Sequence, residues 1–304
     1  MGAVPDLERQ TIGDLPDWGR ACAEELMSNL LVEKSFPCTF AVAAAKKHTL
    51  RFGFIDSEKD PSRWGPLPDI LGEYLRVYQD IDRETSLVVF FRPEEEPAGM
   101  SSYFSRFWDV LQYLHRKDTL PWPGEIPEDP GEPLWEFSFG GTPIFVVCNT
   151  PAHTRRRSRH SSGMVITFQP RWVFEGLESG TPRGGAARRV IRNRIRRFDG
   201  MEPAPQLGDY GAEDNREWKQ YFLPDGNEEE IHGCPFHSGT GKTRGDRSAH
   251  HVVVNGRGEY SLWPDGRDLP PGWWYTGVHG DRRTCLDHIE RVWTGIRLPA
   301  RKTG

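Results

Sequence analysis

LPDILGEYLRVYQDIDRETSLVVFF, residues 67–91, decides the fold class. Leu67, Leu71, Tyr74, Leu75 and Tyr78 recur at helical spacing. Ser86–Phe91 is then a continuous apolar run of strand length, the pattern of a strand covered on both faces. Upstream, Trp18, Cys22, Leu26 and Leu30 space an amphipathic helix over 18–32. FPCTF (36–40) leads into the small-residue run Ala41–Ala45, and LRFGFID (50–56) alternates as a strand. Downstream, Phe104, Phe107, Trp108, Leu111, Leu114 and His115 mark another helix. It ends before LPWPGEIPEDPGEP (120–133), where proline rings remove amide donors. LWEFSFGG (134–141) and PIFVVCN (143–149) read as two strands around Gly140 and Gly141, and MVITFQPRWVFEGL (164–177) as a strand and turn. ARRVIRNRIRRF (187–198) reads as a basic helix with Val190, Ile191 and Ile195 on its apolar side. Helices and strands mixed in this way predict an α+β layered fold, a mixed α/β first domain.

The 304 residues suffice for two domains, and 36% hydrophobic with 12% aromatic content provides a core. With 32 glycines and 25 prolines the chain is rich in turns, which excludes a helical bundle. Lys and Arg number 39 against 44 Asp and Glu, a net charge of -5 that argues against a nucleic-acid partner. Neither an apolar run of membrane-spanning length nor a signal-like start is present, so the expectation is a cytoplasmic protein with no membrane partner. Asp6 breaks a myristoylation motif. Cys22, Cys38, Cys148, Cys234 and Cys285 are odd in number and widely spaced, which predicts thiols.

Polar residues dominate from Asn227 to His250, which divides the chain into a domain 1–238, a linker 239–248 and a domain 249–304. GTGKT (239–243) is no phosphate loop, because Phe236 stands where the motif needs glycine; His232, Cys234 and His237 are an incomplete zinc set. In the last domain VVVN and EYSLW read as strands, and Leu286, Ile289 and Trp293 share a helix face that would cover them. Asn255, Tyr260–Pro264, Pro270–Trp273, Cys285, Leu286, Ile289, Trp293, Thr294 and Arg297 follow a pattern that resembles the MbtH-like proteins, small partners of nonribosomal peptide synthetase adenylation domains. Glu259 and Gly295 depart from the family's Gln and Asp, and Arg297-Leu298-Pro299 replaces an Arg-Pro ending. The resemblance implies a three-stranded antiparallel sheet packed on a helix. It also implies an adenylation-domain partner held by Ser261, Leu262, Trp263 and Trp273, with the two Trp side chains forming a shallow slot.

Residues 36 to about 237 resemble the YqcI/YcgG family through FPCTF, SLVVFF, FWDVLQYLH, PWP, LWEFSFGGTPIFVVCNTPAH, the Arg/Ser run, FQPRWVFEGL, EWKQYFLPDGN and CPFH. Characterised members are heme-dependent oxygenases that N-hydroxylate a guanidine group. The resemblance therefore implies heme b with its iron, O2 with an external electron donor or redox partner, and a guanidine substrate such as L-arginine. Heme asks for an axial ligand, an apolar slot and cations at its propionates. His153, leaving a buried strand beside Pro151, is the first candidate ligand; His115 on its helix is the second, and a thiolate of Cys148, Cys38 or Cys234 the third. A loop or core histidine with no metal is the competing reading. Arg155, Arg156, Arg157 and Arg159 suit carboxylates such as propionates, or else form a solvated loop. Glu136, between Trp135 and Phe137, suits a substrate guanidinium, unless strand alternation turns it to solvent. The expected activity is a heme-dependent monooxygenase that N-hydroxylates L-arginine or a close analogue in nonribosomal peptide biosynthesis. The alternative is a non-catalytic heme-binding or scaffold protein whose tail serves the adenylation domain.

Overall fold

The structure, a computed structural model, describes residues 7–32, 36–177, 180–228, 234–236, 250–264, 269–270, 272–280 and 282–292. The linker 239–248, His232, His237, Trp293, Thr294, Gly295 and Arg297 lie outside the described residues. The chain separates into two compact units, 1–238 and 239–304.

In chain order the first unit holds α1 (Leu7–Gln10), α2 (Asp17–Val32), α3 (Thr39–Lys47), β1 (Leu50–Ile55), α4 (Leu67–Ile81), β2 (Ser86–Phe91) and α5 (Met100–Lys117). β3 (Ser138–Phe139), β4 (Thr142–Asn149), β5 (Val165–Pro170), α6 (Pro182–Asp199) and α7 (Trp218–Tyr221) follow. The sheet order is β1-β2-β5-β4-β3, with β1 and β2 parallel and the remaining neighbours antiparallel.

Every residue of β2 is buried, because both faces of the sheet are covered. On one face Ile55, Leu87, Val89, Phe91, Ile144, Val146, Cys148, Ile166 and Phe168 join α4 and α5 in the main core. On the other, Leu50, Phe52, Phe54, Val88, Phe90 and Val165 pack with Ala23, Met27 and Leu30 of α2 and Ala44 and Ala45 of α3. Each large side chain buried this way contributes about 1.5–3 kcal/mol. The first face is also aromatic-rich: Trp108, Trp135, Phe137, Tyr221 and Phe236 form one cluster.

Two local expectations need correction. The strand expected across LWEFSFGG is only Ser138–Phe139, because the amide of Phe137 donates to the hydroxyl of Tyr221 (3.1 Å), which itself donates to Ile144 O (3.2 Å). Gly140 and Gly141, both at positive φ, then make the tight turn into β4. On α6, Val190 is exposed and only Gly184 and Ile195 are buried.

The second unit is a sheet in the order β7-β6-β8, all antiparallel, with β6 His250–Asn255, β7 Tyr260–Pro264, β8 Trp273–Gly280 and α8 Arg282–Val292. Val252 of β6 packs with Cys285 and Ile289 of α8. The helix thus faces the sheet through Cys285 and Ile289, one turn apart, while Leu286 is exposed. Among the described residues no helix is long and apolar enough to cross a membrane.

Candidate functional site

Alternation along β2, β4 and β5 sends Val88 and Phe90, then Phe145, Val147 and Asn149, then Val165, Thr167 and Gln169 to the sheet face shared by α2, α3 and α6. Over β1 and β2 this face is closed by α2 and α3. Towards β4 and β5 it meets α6, whose residues here are Gly184, Ala187, Arg188, Ile191, Arg192 and Ile195. A cavity of about 580 Å³ remains, within the range of ligand and cofactor sites, roughly 300–1,000 Å³.

Polar groups enter its wall from the loop after β4. Asp225 fixes that loop by accepting from the amides of Arg155 and Arg156 (both 2.9 Å) and from the Thr154 hydroxyl (3.0 Å). Asp199 accepts from Ser158 N at 2.7 Å and Ser158 Oγ at 2.8 Å. Between these ties stand Arg156, Ser158, Arg159 and His160, all on the cavity wall. The Arg159 guanidinium donates to the main-chain carbonyls of Tyr221 (3.4 Å) and Gln220 (3.3 Å). Among the described residues no carboxylate pairs with it, and burial, with Arg156 adding repulsion, lowers its pKa to about 10. His160 Nδ1 lies 2.9 Å from the carbonyl of His153. A carbonyl only accepts, so Nδ1 carries the hydrogen and the neutral ring keeps its lone pair on Nε2. Nε2 has no hydrogen-bond partner among the described residues. Glu25 of α2 also lines the cavity, with no ion-pair partner among the described residues.

The residues singled out in the sequence are distributed differently. His153 is fully buried and off the wall; its Nε2 meets Leu223 O at 2.8 Å and its Nδ1 meets Thr150 Oγ1 at 2.9 Å. Nε2 must therefore donate and Nδ1 accept, which uses both ring nitrogens, and burial lowers the pKa to about 4. No lone pair is left for iron. His115 sits on α5, across the sheet from the cavity, with its ring against Trp122 and Phe236. Cys148 and Cys234 pack with the same main core, whereas Cys38 lines the cavity. Arg155 is exposed and paired with Glu228 at 2.6 Å; Arg157 is exposed over the Phe198 ring. Of the four arginines expected to meet carboxylates, Arg156 and Arg159 reach the wall.

Glu136 does hold a guanidinium, but it is the protein's own. Arg171 grips both its oxygens, with Nε at 2.7 Å, and also reaches Glu217 at 3.0 Å while stacking 3.6 Å over the Tyr210 ring. Glu136 is fully buried, and that burial raises its pKa against the opposing pull of Arg171. Its carboxylate is spent, so it does not fit a substrate-binding role. Arg171, Tyr210 and Glu217 line the cavity instead.

In the second unit, His251 pairs with Trp263 and Asn255 with Trp273, so both Trp side chains stand on one face of the sheet, with Ser261 opposite Val253 between them. They are on opposite edges and four β6 residues out of row, about 13 Å along the strand. They are not cross-strand neighbours. Leu262 belongs to the other face, packed on the Val252–Cys285–Ile289 core. Asn255 Oδ1 accepts from the amides of Arg257 and Glu259 (both 3.0 Å), and its Nδ2 donates to Glu259 Oε2 at 2.6 Å. Glu259 thus closes the β6–β7 turn.

A family model for YqcI/YcgG matches residues 26–237, and one for MbtH-like protein matches 240–303. The chain belongs to the YqcI/YcgG family. It is 40% identical to YcgG of Bacillus subtilis (strain 168) over 73% of this chain and 89% of that protein. It is 39% identical to YqcI of the same organism over 67% and 81%. It is also 35% identical, over 76% and 88%, to DcsA of Streptomyces lavendulae, a protein that bears the name N(omega)-hydroxy-L-arginine synthase. The YqcI/YcgG match spans every residue named on the cavity wall except Cys22 and Glu25. Sequence reading missed Glu25 and His160 there. Glu25 sits on the polar side of its helix, and His160 stands at the end of an Arg/Ser run that reads as a solvated loop.

Proposed function

We propose that residues 26–237 hold heme b in this cavity and N-hydroxylate the guanidino group of L-arginine or a close analogue, and that the MbtH-like segment serves an adenylation domain of a nonribosomal peptide synthetase. The observation that carries the reading is Arg159, a half-buried cation without a carboxylate partner among the described residues, on the wall of a largely apolar cavity of cofactor size. Desolvation of a charge is costly unless it is paired, so the cavity suits an anion, and a heme propionate meets that need. The substrate class comes from the likeness to the S. lavendulae protein.

The wall fits heme in kind. Val88, Phe90, Phe145, Val147 and Ile191 offer apolar contact, Arg159 a propionate partner and His160 an imidazole. When bound, heme supplies activation of O2 with two electrons from an external donor, so that one oxygen enters a guanidine N–H bond and the other leaves as water. The chain's own part is positioning. Glu25 accepts hydrogen bonds from the substrate guanidinium in place of the occupied Glu136, and the apolar wall keeps water from the reacting nitrogen.

The test is turnover by the full chain. Protein reconstituted with hemin and supplied with a reductase system, O2 and L-arginine is expected to give a product one oxygen atom heavier. Bound hemin with no product from arginine or its guanidine analogues would leave the non-catalytic scaffold in place of the enzyme.

A further inference from the structure

We propose that Nε2 of His160 is the axial ligand to the heme iron and that the main-chain carbonyl of His153 orients it. The assignment rests on the heme reading above and adds to it the atom that binds the metal.

Three observations converge on this atom. First, His160 is a histidine on the cavity wall. Second, its Nδ1–H donates to His153 O at 2.9 Å, which fixes the tautomer and leaves the Nε2 lone pair uncommitted among the described residues. A metal-bound histidine typically donates its other N–H to a carbonyl or carboxylate in this way, which sets ring orientation and basicity. Third, the backbone beneath the ring is held: Thr150 N donates to Arg159 O (3.0 Å) and Ser161 N to Thr150 O (3.4 Å), bridging residue 160 to the end of β4. The ring is therefore placed before any cofactor arrives.

The competing groups lack one or another of these features. His153 has spent both nitrogens and His115 stands across the sheet. Cys148 faces the main core. Cys22 and Cys38 reach the wall, but ligation needs a thiolate, and burial raises the pKa of both. Cys38 is further engaged as the cap of α3, accepting from Ala41 N at 3.4 Å.

The experiment titrates hemin into full-length wild type, His160→Gly, His160→Gln, His153→Gln and Cys38→Ser, and records the spectrum of each ferrous carbon monoxide complex. Wild type, His153→Gln and Cys38→Ser are expected to share one nitrogen-ligated spectrum. His160→Gly should bind hemin about tenfold or more weakly and recover both binding and spectrum on addition of imidazole, recovery that also demonstrates a folded variant. His160→Gln, which retains a donor to His153 O, should show the same loss. Unchanged hemin binding and spectrum in both His160 variants would overturn the ligand assignment alone. So would a thiolate-type spectrum in wild type that vanishes in Cys38→Ser. Wild type that takes up no hemin would overturn the heme reading itself.

Discussion

His153 and His160 share one hydrogen bond and differ in what it leaves them. The His153 ring sits between Thr150 and Leu223 O, so it is a structural strut. His153→Leu should leave that carbonyl and hydroxyl unsatisfied and cost about 1–3 kcal/mol, read as a lower urea midpoint. Arg171 is a second strut. Its guanidinium faces two buried carboxylates, so Arg171→Leu should destabilise by about 3–5 kcal/mol; Glu136→Gln, which retains the hydrogen-bonding shape, should cost much less. Denaturation of the two variants side by side checks this, and equal losses would show that charge is not what holds the cluster. Glu25 has the opposite character, a wall carboxylate without an ion-pair partner among the described residues. Glu25→Gln should raise KM for L-arginine about tenfold, equivalent to about 1.4 kcal/mol, with little change in kcat and none in the hemin spectrum. An unchanged KM would remove Glu25 from the substrate site.

At the scale of elements, α2 lies unusually close to the sheet. A methyl group at Gly19 would stand 2.5 Å from the Phe54 ring, which is itself stacked on Phe90. Gly19→Ala should therefore push α2 outward and destabilise by about 1–3 kcal/mol, seen in the thermal midpoint. Local pattern made most of these elements legible. The spacing of Leu67, Leu71 and Tyr74 marks α4, and the apolar run 86–91 marks β2, because each reports burial by immediate neighbours. What stayed hidden depends on partners far along the chain. LWEFSFGG alternates like a strand, but the Tyr221 hydroxyl, 84 residues away, takes the Phe137 amide. Glu136 was recognisable as a carboxylate suited to a guanidinium, whereas Arg171 as its occupant was not. Leu223 O closes His153 from 70 residues away, so the choice between two histidines of one loop could not be read locally. The phase of α8 slipped by one residue because Cys285, small and apolar, takes the core position assigned to Leu286.

At the scale of the whole molecule, a YqcI/YcgG domain and an MbtH-like domain share one chain and form two compact units. If the second serves an adenylation domain through the sheet face bearing Ser261, Trp263 and Trp273, then Trp263→Ala in the full chain should abolish co-purification with that partner. Hydroxylation should be unaffected. Binding that survives both Trp263→Ala and Trp273→Ala would refute the Trp face as the docking surface. The central claim concerns the first unit: its cavity holds heme and puts oxygen on a guanidine nitrogen. The most direct measurement is mass spectrometry of L-arginine after incubation with the hemin-loaded full chain, a reductase system and isotopically heavy dioxygen. The account predicts a product carrying one heavy oxygen atom on the guanidino group, lost in Arg159→Met together with hemin affinity. Arginine recovered unlabelled from protein that has demonstrably bound hemin would contradict it.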